Sequence, residues 1–406
     1  MNIALLSIGN ELLSGDALNT NAAWIGRKVT ELGCLVQRQI TVPDDGPSII
    51  DGLNRFIDSK PNYIIITGGL GPTDDDITRT TLFKFVGTDA VFDNEYWSVL
   101  LERFKRFGMD IPESNRNQAL VPTLGEVIPN PVGSAQGFQF KVDGSILVAL
   151  PGVPAEMRSM MEQTVIPMIA KSVKEPIIIR TLRTTGIPES ALIERIADPI
   201  DSDHKCNIGY YPSLYGVDIR ISSIRQDHVD GLSEELYSLL GFIIYGEGKD
   251  TIEHVIVHSA IEKHKTVSIA ESCTGGLIGH RITEIPGSST MFKGGLVVYS
   301  NAAKFMVLGV KQTCIDSYGA VSTETAEQMA TNVMEKFGTD YGLSVTGIAG
   351  PGGGTDGKPV GLVYIGLADP SNTEVREYKF GTDRKRNKVR SSQAALDWLR
   401  VILQND

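Results

Sequence analysis

The sequence predicts an α/β protein made of two three-layer α/β domains joined by a small α+β connector domain. Its 406 residues correspond to two or three domains at roughly 150 residues each. Apolar strands and amphipathic helices alternate through the first part of the chain, and the alternation resumes at Thr251. Such repetition implies mostly parallel sheets covered by helices on both faces.

The first domain is predicted to span residues 1–170. Its elements, in order, are strand 2–8, helix 20–32, strand 35–42, helix 49–57, strand 63–67 and, after a proline-rich turn, a helix ending near residue 169. Ligands of parallel sheets bind at the carboxyl ends of the strands. The turns beginning at Gly9 and Gly68 fall at two of these ends.

The connector is predicted to span 171–250 and the last domain 251–406. The connector's predicted elements are strand 177–184, helix 189–197, strands 207–211 and 217–224, and helix 229–240. The last domain is predicted to contain helix 251–264, strand 266–270, helix 275–284, strand 295–299, helices 301–308 and 323–337, strand 341–345, two strands within 360–380 and helix 385–403. Because the connector lacks a dense cluster of reactive groups, we expect it to link domains or form a dimer.

Composition excludes several classes of protein. No apolar run approaches the ~20 residues of a bilayer span, and the N-terminus has no basic leader, so we expect a cytoplasmic protein without membrane contact. The four cysteines form no CxxC pair, which indicates neither a zinc site nor a disulfide framework. A net charge of −11 argues against direct nucleic-acid binding. A homodimer is expected because two-fold assemblies dominate.

A glycine-rich turn follows the third predicted strand. Its glycines, Gly68, Gly69 and Gly71, would let backbone amides approach a phosphate closely. The acidic run ending in Asp75 and Asp76 suggests a divalent cation such as Mg²⁺, with Glu11 as a further carboxylate. The alternative is that Asp75 or Asp76 caps the next helix, and the residues alone leave both interpretations open.

The segment 270–276 places a hydroxyl and a thiol, Ser272 and Cys273, between an apolar strand and a helix. Amides of Thr274, Gly275 and Gly276 at the helix start are natural donors to an oxyanion. Local evidence alone favours a simpler role, in which Ser272 or Thr274 caps the helix.

Several motifs of the first domain resemble the molybdopterin-binding-like domain of the CinA family. They are segments 9–15, 19–21, 68–78, 117–119 with Pro122, and 151–157. The resemblance implies divalent-metal-dependent hydrolysis of ADP-ribose to AMP and ribose 5-phosphate. We assign catalysis to Asp75 and Asp76, metal binding to Asp75, Asp76 and Glu11, and substrate binding to Gly68, Gly69, Gly71, Thr73 and Asn21. A domain that binds a pterin or nucleotide without turnover is the alternative. Gln136 replaces the family's usual proline.

Four segments of the last domain, 270–276, 286–289, 298–304 and 344–353, resemble the nicotinamide mononucleotide deamidase domain, found alone as PncC or fused as in CinA. The resemblance implies conversion of nicotinamide mononucleotide to nicotinate mononucleotide and ammonia, without a cofactor. No histidine lies in these motifs, and a Ser-Lys pair is the known alternative to a triad. The resemblance assigns Ser272 as nucleophile and Lys304 as base, with Tyr299 assisting.

Alternatives remain for the reactive residues of this domain. Lys304 needs a lowered pKa to act as a base, and lysines at helix starts are more often solvated. Cys273 is a competing nucleophile or a core residue.

The nucleotide's phosphate and ribose are expected to contact Ser288, Ser289 and the glycine-rich loop 346–353 of the fourth motif, with Thr346, Gly350 and Gly352. The basic run 383–390 is by default a solvated face, but the resemblance suggests phosphate binding by Arg384 or Arg390. The family's competence-linked name suggests a further class, an interaction protein of DNA uptake. An acidic chain with no basic groove argues against direct DNA binding.

Overall fold

A computed structural model describes residues 1–106, 108–173, 176–197, 200 and 205–405. The chain divides into two compact units, Met1–Ile178 and Ile179–Asp406. The second unit contains both the connector and the C-terminal α/β domain. The α/β class predicted from the strand and helix alternation is confirmed.

The first unit is built on a six-stranded sheet with strand order β2-β1-β3-β8-β7-β6. Its strands, with the separate pair β4 and β5, are β1 (Asn2–Ile8), β2 (Leu35–Val42), β3 (Tyr63–Thr67), β4 (Ala90–Phe92), β5 (Leu120–Pro122), β6 (Glu126–Ile128), β7 (Gly137–Val142) and β8 (Ser145–Leu150). The first four strands of the sheet are parallel, and β7 and β6 are antiparallel. Strand β3 is buried along its whole length, as expected for a strand covered on both faces.

Helices cover both faces of this sheet. They are α1 (Asn10–Ser14), α2 (Thr20–Glu31), α3 (Gly46–Ile57), α4 (Thr78–Val86), α5 (Asn94–Arg106), α6 (Pro154–Met160) and α7 (Ile166–Ser172), with a π-helical turn at Met161–Val165 between the last two. One apolar core lies against α3 and α4 and includes Leu53 and Leu82. The other lies against α2 and α6 and includes Ile25 and Met157. Two cores on opposite sides of one sheet make this unit three-layered.

The connector is a four-stranded sheet with helices. Its elements are β9 (Ile178–Thr184), α8 (Glu189–Arg195), β10 (Asn207–Pro212), β11 (Val217–Ser223), α9 (Gln226–Leu240) and β12 (Ile244–Glu247), with strand order β10-β11-β9-β12. Strand β12 is missing from the sequence prediction because only four residues separate the turn Gly241–Ile243 from Gly248.

The C-terminal α/β domain has a five-stranded sheet of order β14-β13-β15-β16-β17. Its elements are α10 (Ile252–Glu262), β13 (Val267–Glu271), α11 (Leu277–Thr283), β14 (Phe292–Val297), α12 (Asn301–Met306), α13 (Gln312–Tyr318), α14 (Thr323–Phe337), β15 (Tyr341–Gly347), β16 (Leu362–Ala368), β17 (Thr373–Lys379) and α15 (Arg384–Asn405). Strands β14, β13 and β15 are parallel. Their carboxyl ends therefore meet at one edge, where segments 272–276, 298–300 and 348–353 leave the sheet.

Strand β14 begins three residues earlier than predicted. Gly294 and Gly295 obscured its start in the sequence, because glycine weakens the strand pattern. The structure explains the first glycine: a β-carbon on Gly294 would lie 2.4 Å from the ring of Phe337 at the end of α14. The glycine thus lets this helix pack closely on the sheet.

In the described ranges, no helix is both long and apolar enough to cross a bilayer.

Candidate active site and nucleotide pocket

Ser272 lies immediately after β13, at the edge where the three parallel strands end. Its backbone N–H donates to the Val345 carbonyl of β15 at 2.9 Å, which holds the residue against the sheet. Its side chain is buried. Gly275 and Gly276 then turn the chain into α11 with φ of 62° and 91°, a region that favours glycine.

The N-terminus of α11 is capped by Glu271. This buried carboxylate accepts from the backbone N–H groups of Gly276 at 3.0 Å, Ile278 at 3.1 Å and Gly279 at 2.9 Å. The cap is therefore neither Ser272 nor Thr274, the two residues that local sequence favoured. Three donors to one carboxylate also satisfy the positive end of the helix.

The cap changes which amides can serve as oxyanion donors. The Gly276 amide is taken up by Glu271, and the Gly275 amide donates to the Ser272 carbonyl at 3.1 Å. Among the described residues, the amides of Cys273 and Thr274 donate to no backbone carbonyl. The Thr274 hydroxyl is likewise buried without a partner there. The free donors thus directly follow Ser272.

Lys304 contacts the Ser272 side chain. Its Nζ lies 2.8 Å from Ser272 Oγ and 2.9 Å from the Val298 carbonyl. Lys304 lies on α12, which Ser300 caps by accepting from the Ala303 amide. The side chain is 1% exposed, so it is not the solvated lysine that its sequence position alone favoured. Burial lowers the pKa of Lys304 to about 8.

Cys273 points into the apolar core under the same sheet. It is buried among residues such as Ile269, Ile278 and Val345. Burial raises the pKa of its thiol to about 12, so little thiolate exists at neutral pH. Its environment therefore favours the structural role over the nucleophilic one.

Arg384 joins two segments that the sequence placed in one site. Its guanidinium donates to the Tyr299 hydroxyl at 2.6 Å and to the Gly350 carbonyl at 2.8 Å. Asn387, one turn further along α15, donates to the carbonyls of Ala349 at 2.9 Å and Gly381 at 2.7 Å. The start of α15 therefore holds the glycine-rich loop, and the exposed Tyr299 ring lies beside it.

Lys388 is a site residue that the sequence reasoning missed. Its Nζ lies 3.5 Å from where a β-carbon on Gly275 would be, and its charge acts to lower the pKa of Cys273. Arg390, proposed instead, is exposed and lies about 200° around the helix from Lys388. The spacing of four residues between Arg384 and Lys388 could have revealed their shared face.

The other predicted substrate-binding residues of this domain do not contact Ser272 through a described hydrogen bond. Ser288 is buried, whereas Ser289 and Gly352 are exposed, and no described hydrogen bond links these residues to Ser272 or Lys304. The Thr346 hydroxyl donates to the Ala320 carbonyl at 2.7 Å. It therefore binds the α13–α14 connection to β15.

In the first unit, the turn after β3 needs its glycines. A β-carbon on Gly68 would lie 2.2 Å from the Ile8 carbonyl oxygen, and one on Gly69 would lie 2.1 Å from Thr78 Oγ1. Asp76 stabilises the turn by accepting from the backbone amide and hydroxyl of Thr73. A β-carbon on Gly71 would in turn collide with the Asp76 carboxylate.

The predicted metal ligands do not form a metal-binding group. Nowhere in the part of the chain that the structure describes do three or more His, Cys, Asp or Glu side chains converge as ligands. Asp76 is engaged with Thr73, while Asp75 and Glu11 are exposed. The arrangement does not fit a cation held by all three carboxylates.

A cavity of about 210 Å³ lies at the carboxyl ends of β1 and β3. Glu11, Asn21, Thr67 and Gly152 are among its lining residues. Asn21 donates to the Gly152 carbonyl at 2.7 Å, but its Oδ1 is buried and has no partner among the described residues. The structure thus brings Glu11 and Asn21 to the lining of one cavity.

Three successive segments of the chain match known protein families. Residues 4–171 match the family described as "Probable molybdopterin binding domain". Residues 179–246 match "Damage-inducible protein CinA KH domain", and residues 249–403 match "CinA C-terminal domain".

Relatives cover the whole chain. A CinA-like protein of Gloeothece citriformis is 40% identical over 412 residues, 98% of each chain. One of Dictyoglomus turgidum is 39% identical over 411 residues and covers both chains completely. The crystal structure of competence/damage inducible protein CihA from Agrobacterium tumefaciens is 39% identical, covering 38% of this chain and 95% of that one, with a TM-score of 0.36. The full-length similarity shows that this chain belongs to the CinA family.

Proposed function

We propose that the C-terminal α/β domain is an amidohydrolase that converts nicotinamide mononucleotide to nicotinate mononucleotide and ammonia. The observation that carries the proposal is the buried contact of 2.8 Å between Lys304 Nζ and Ser272 Oγ. A serine needs a base to become a nucleophile, and a lysine with a lowered pKa is such a base. The substrate follows from the resemblance of the four motifs to nicotinamide mononucleotide deamidases.

The reaction proceeds through an acyl-enzyme. Neutral Lys304 takes the hydroxyl proton of Ser272 while Oγ bonds to the carboxamide carbon, and the carbonyl electrons move to oxygen. The amides of Cys273 and Thr274 donate to this oxyanion. Collapse breaks the C–N bond, and the leaving nitrogen takes the proton from Lys304 as ammonia. Water then attacks the ester through the same base, and Ser272 leaves with its proton restored.

The direct test is ammonia release from nicotinamide mononucleotide by the purified full-length chain without added metal. Stoichiometric formation of ammonia and nicotinate mononucleotide supports the proposal. No release above the uncatalysed rate would overturn it.

The lowered pKa of Lys304 predicts the pH dependence of this activity. Since the base must be neutral, kcat/KM should rise about tenfold per pH unit below pH 8 and level off above it. The value of kcat/KM rises with pH because Lys304 can act as a base only after its amine has lost a proton. A profile with a single midpoint near 8 agrees with Lys304 as the base, whereas a flat profile from pH 6 to 9 contradicts it.

Lys388 and Arg384 on one face of α15 are the proposed partners of the substrate phosphate. Lys388→Ala should raise KM for nicotinamide mononucleotide about tenfold or more with kcat little changed, because a charge-assisted hydrogen bond is lost. The matched control is Arg390→Ala, two residues away on another face, which should leave KM within about twofold. Equal effects of the two variants, measured by steady-state ammonia release, would remove Lys388 from the site.

A second candidate function belongs to the first unit, and the cavity at the carboxyl ends of β1 and β3 favours it. We propose that this cavity takes a nucleotide ligand, with ADP-ribose the substrate that the resemblance indicates and Mg²⁺ or a similar cation as its cofactor. Calorimetry with ADP-ribose, and AMP release with and without Mg²⁺, test it. Binding without AMP release makes the unit a binding module, and absence of binding rejects both roles.

Direct nucleic-acid binding is the rival class, and the match of 179–246 to a KH domain makes it worth testing. KH domains clamp the nucleic-acid backbone with a G-x-x-G loop, and these residues contain no G-x-x-G. We therefore propose that the connector binds no nucleic acid directly. A salt-dependent micromolar affinity for single-stranded RNA or DNA would overturn this.

A further inference from the structure

Arg281 lies at the centre of a buried polar network on α11. Its guanidinium pairs with Glu253 of α10, and it donates to Ser392 Oγ at 2.8 Å and to Gln393 Oε1 at 2.7 Å. All four residues are buried. The network therefore ties α11 to α15.

The same network reaches the connector and closes into a ring. Gln393 Nε2 donates to Thr185 Oγ1 at 3.1 Å, and Thr185 Oγ1 donates to the Tyr215 carbonyl at 2.9 Å. The Tyr215 aromatic ring stacks under Arg281, with the guanidinium carbon 5.0 Å from its centroid. Thr185 follows β9, and Tyr215 lies in the β10–β11 turn, so two connector loops take part.

Both helices held by this ring begin at the proposed active site. α11 starts at Leu277, directly after Gly276, whose amide donates to Glu271. α15 carries Lys388 one turn before Ser392. A satisfied buried polar network specifies one arrangement of the elements it joins, so this ring constrains the rotation and axial position of both helices.

We propose that Arg281, Gln393 and Thr185 are positioning residues, through which the connector sets the geometry of the Ser272–Lys304 site. The inference rests on the proposed amidohydrolase function. It gives the connector a role in catalysis without placing any of its residues on the substrate.

Two neighbouring threonines of the connector provide a matched test in the full-length protein. Thr185→Val removes the hydroxyl that links Gln393 to Tyr215 and keeps the side-chain shape. Thr184→Val removes a hydroxyl that is also buried and that donates to the Val217 carbonyl, inside the connector. Thr185→Val should lower kcat about tenfold, whereas Thr184→Val should leave it within about twofold. Arg281→Lys, which keeps the charge beside Glu253 but loses the two-pronged contact with α15, should act like Thr185→Val.

The rate at which a fluorophosphonate probe labels Ser272 separates this inference from the proposed function. Labelling reports the reactivity of the serine without requiring nicotinamide mononucleotide. Slower labelling in Thr185→Val and Arg281→Lys than in Thr184→Val supports positioning, even if the wild type releases no ammonia. Equal labelling and equal kcat in Thr185→Val and Thr184→Val, with changes in Tm alone, would show that the ring merely stabilises the fold.

Discussion

Replacing Lys304 by methionine is expected to lower kcat for ammonia release by ~10³-fold or more while leaving the protein folded. Removal of the general base accounts for a loss of this size. Methionine matches the length of the buried stem and removes a cation whose pKa is lowered from 10.5 to about 8. That shift corresponds to about 3 kcal/mol against the charged form in the folded state, so Tm should stay equal or rise. Steady-state ammonia release and thermal unfolding measure the two effects.

Variants of Ser272 and of the neighbouring Cys273 complete this experiment. Ser272→Ala should be as inactive as Lys304→Met, since the two side chains act as one unit. Cys273→Ala leaves a small cavity in the core and should lower Tm while retaining most of the kcat. An active Ser272→Ala together with an inactive Cys273→Ala would transfer the nucleophile's role to the thiol.

Replacing Glu271 by alanine is expected to have the largest structural effect near the site. The change leaves the amides of Gly276, Ile278 and Gly279 without their shared acceptor. Hydrogen bonds to a charged group contribute about 1.5–3 kcal/mol each and are not additive. We expect a loss of about 3 kcal/mol in the free energy of unfolding, and a fall in kcat of about 10²-fold because the turn carrying Ser272 shifts.

Glu284 provides the matched control for this variant. It follows the other end of α11, is exposed, and lies 3.9 Å from His280. Glu284→Ala should change the free energy of unfolding by no more than about 0.5 kcal/mol. Urea unfolding and ammonia release compare the two variants. Equal unfolding midpoints for both would show that Glu271 does not stabilise the helix start.

Much of the fold was predictable because its signals are local. Strands β1, β2 and β3 and helix α14 lie where the apolar periodicity places them, with β3 recognisable as a continuous buried run. The errors occur where local signals are weak. Strand β12 has four residues, and the start of β14 contains two glycines, the first of which leaves room for Phe337 of a distant helix.

The candidate site was predictable in its residue types and less so in its contacts. Ser272, Lys304 and Tyr299 were named from motifs and Arg384 from the basic run, whereas Glu271 and Lys388 were not named as site residues. Recognising Glu271 requires knowing that its side chain folds back over the amides that follow it. The spacing from Arg384 indicates that Lys388 shares its face of α15, but placing that face beside the Gly275 turn requires the tertiary structure.

The sequence by itself determined the α/β class, because periodicity acts between residues a few positions apart, and the resemblance of its motifs to a known family named the candidate nucleophile and base. Only the tertiary structure decided whether the Lys304 amine reaches the Ser272 hydroxyl, 32 positions away in the chain. It also decided that burial lowers the pKa of one amine and raises that of the adjacent thiol. Both outcomes depend on how three parallel strands end at one edge and which side chains they desolvate, and neither property is encoded in local spacing.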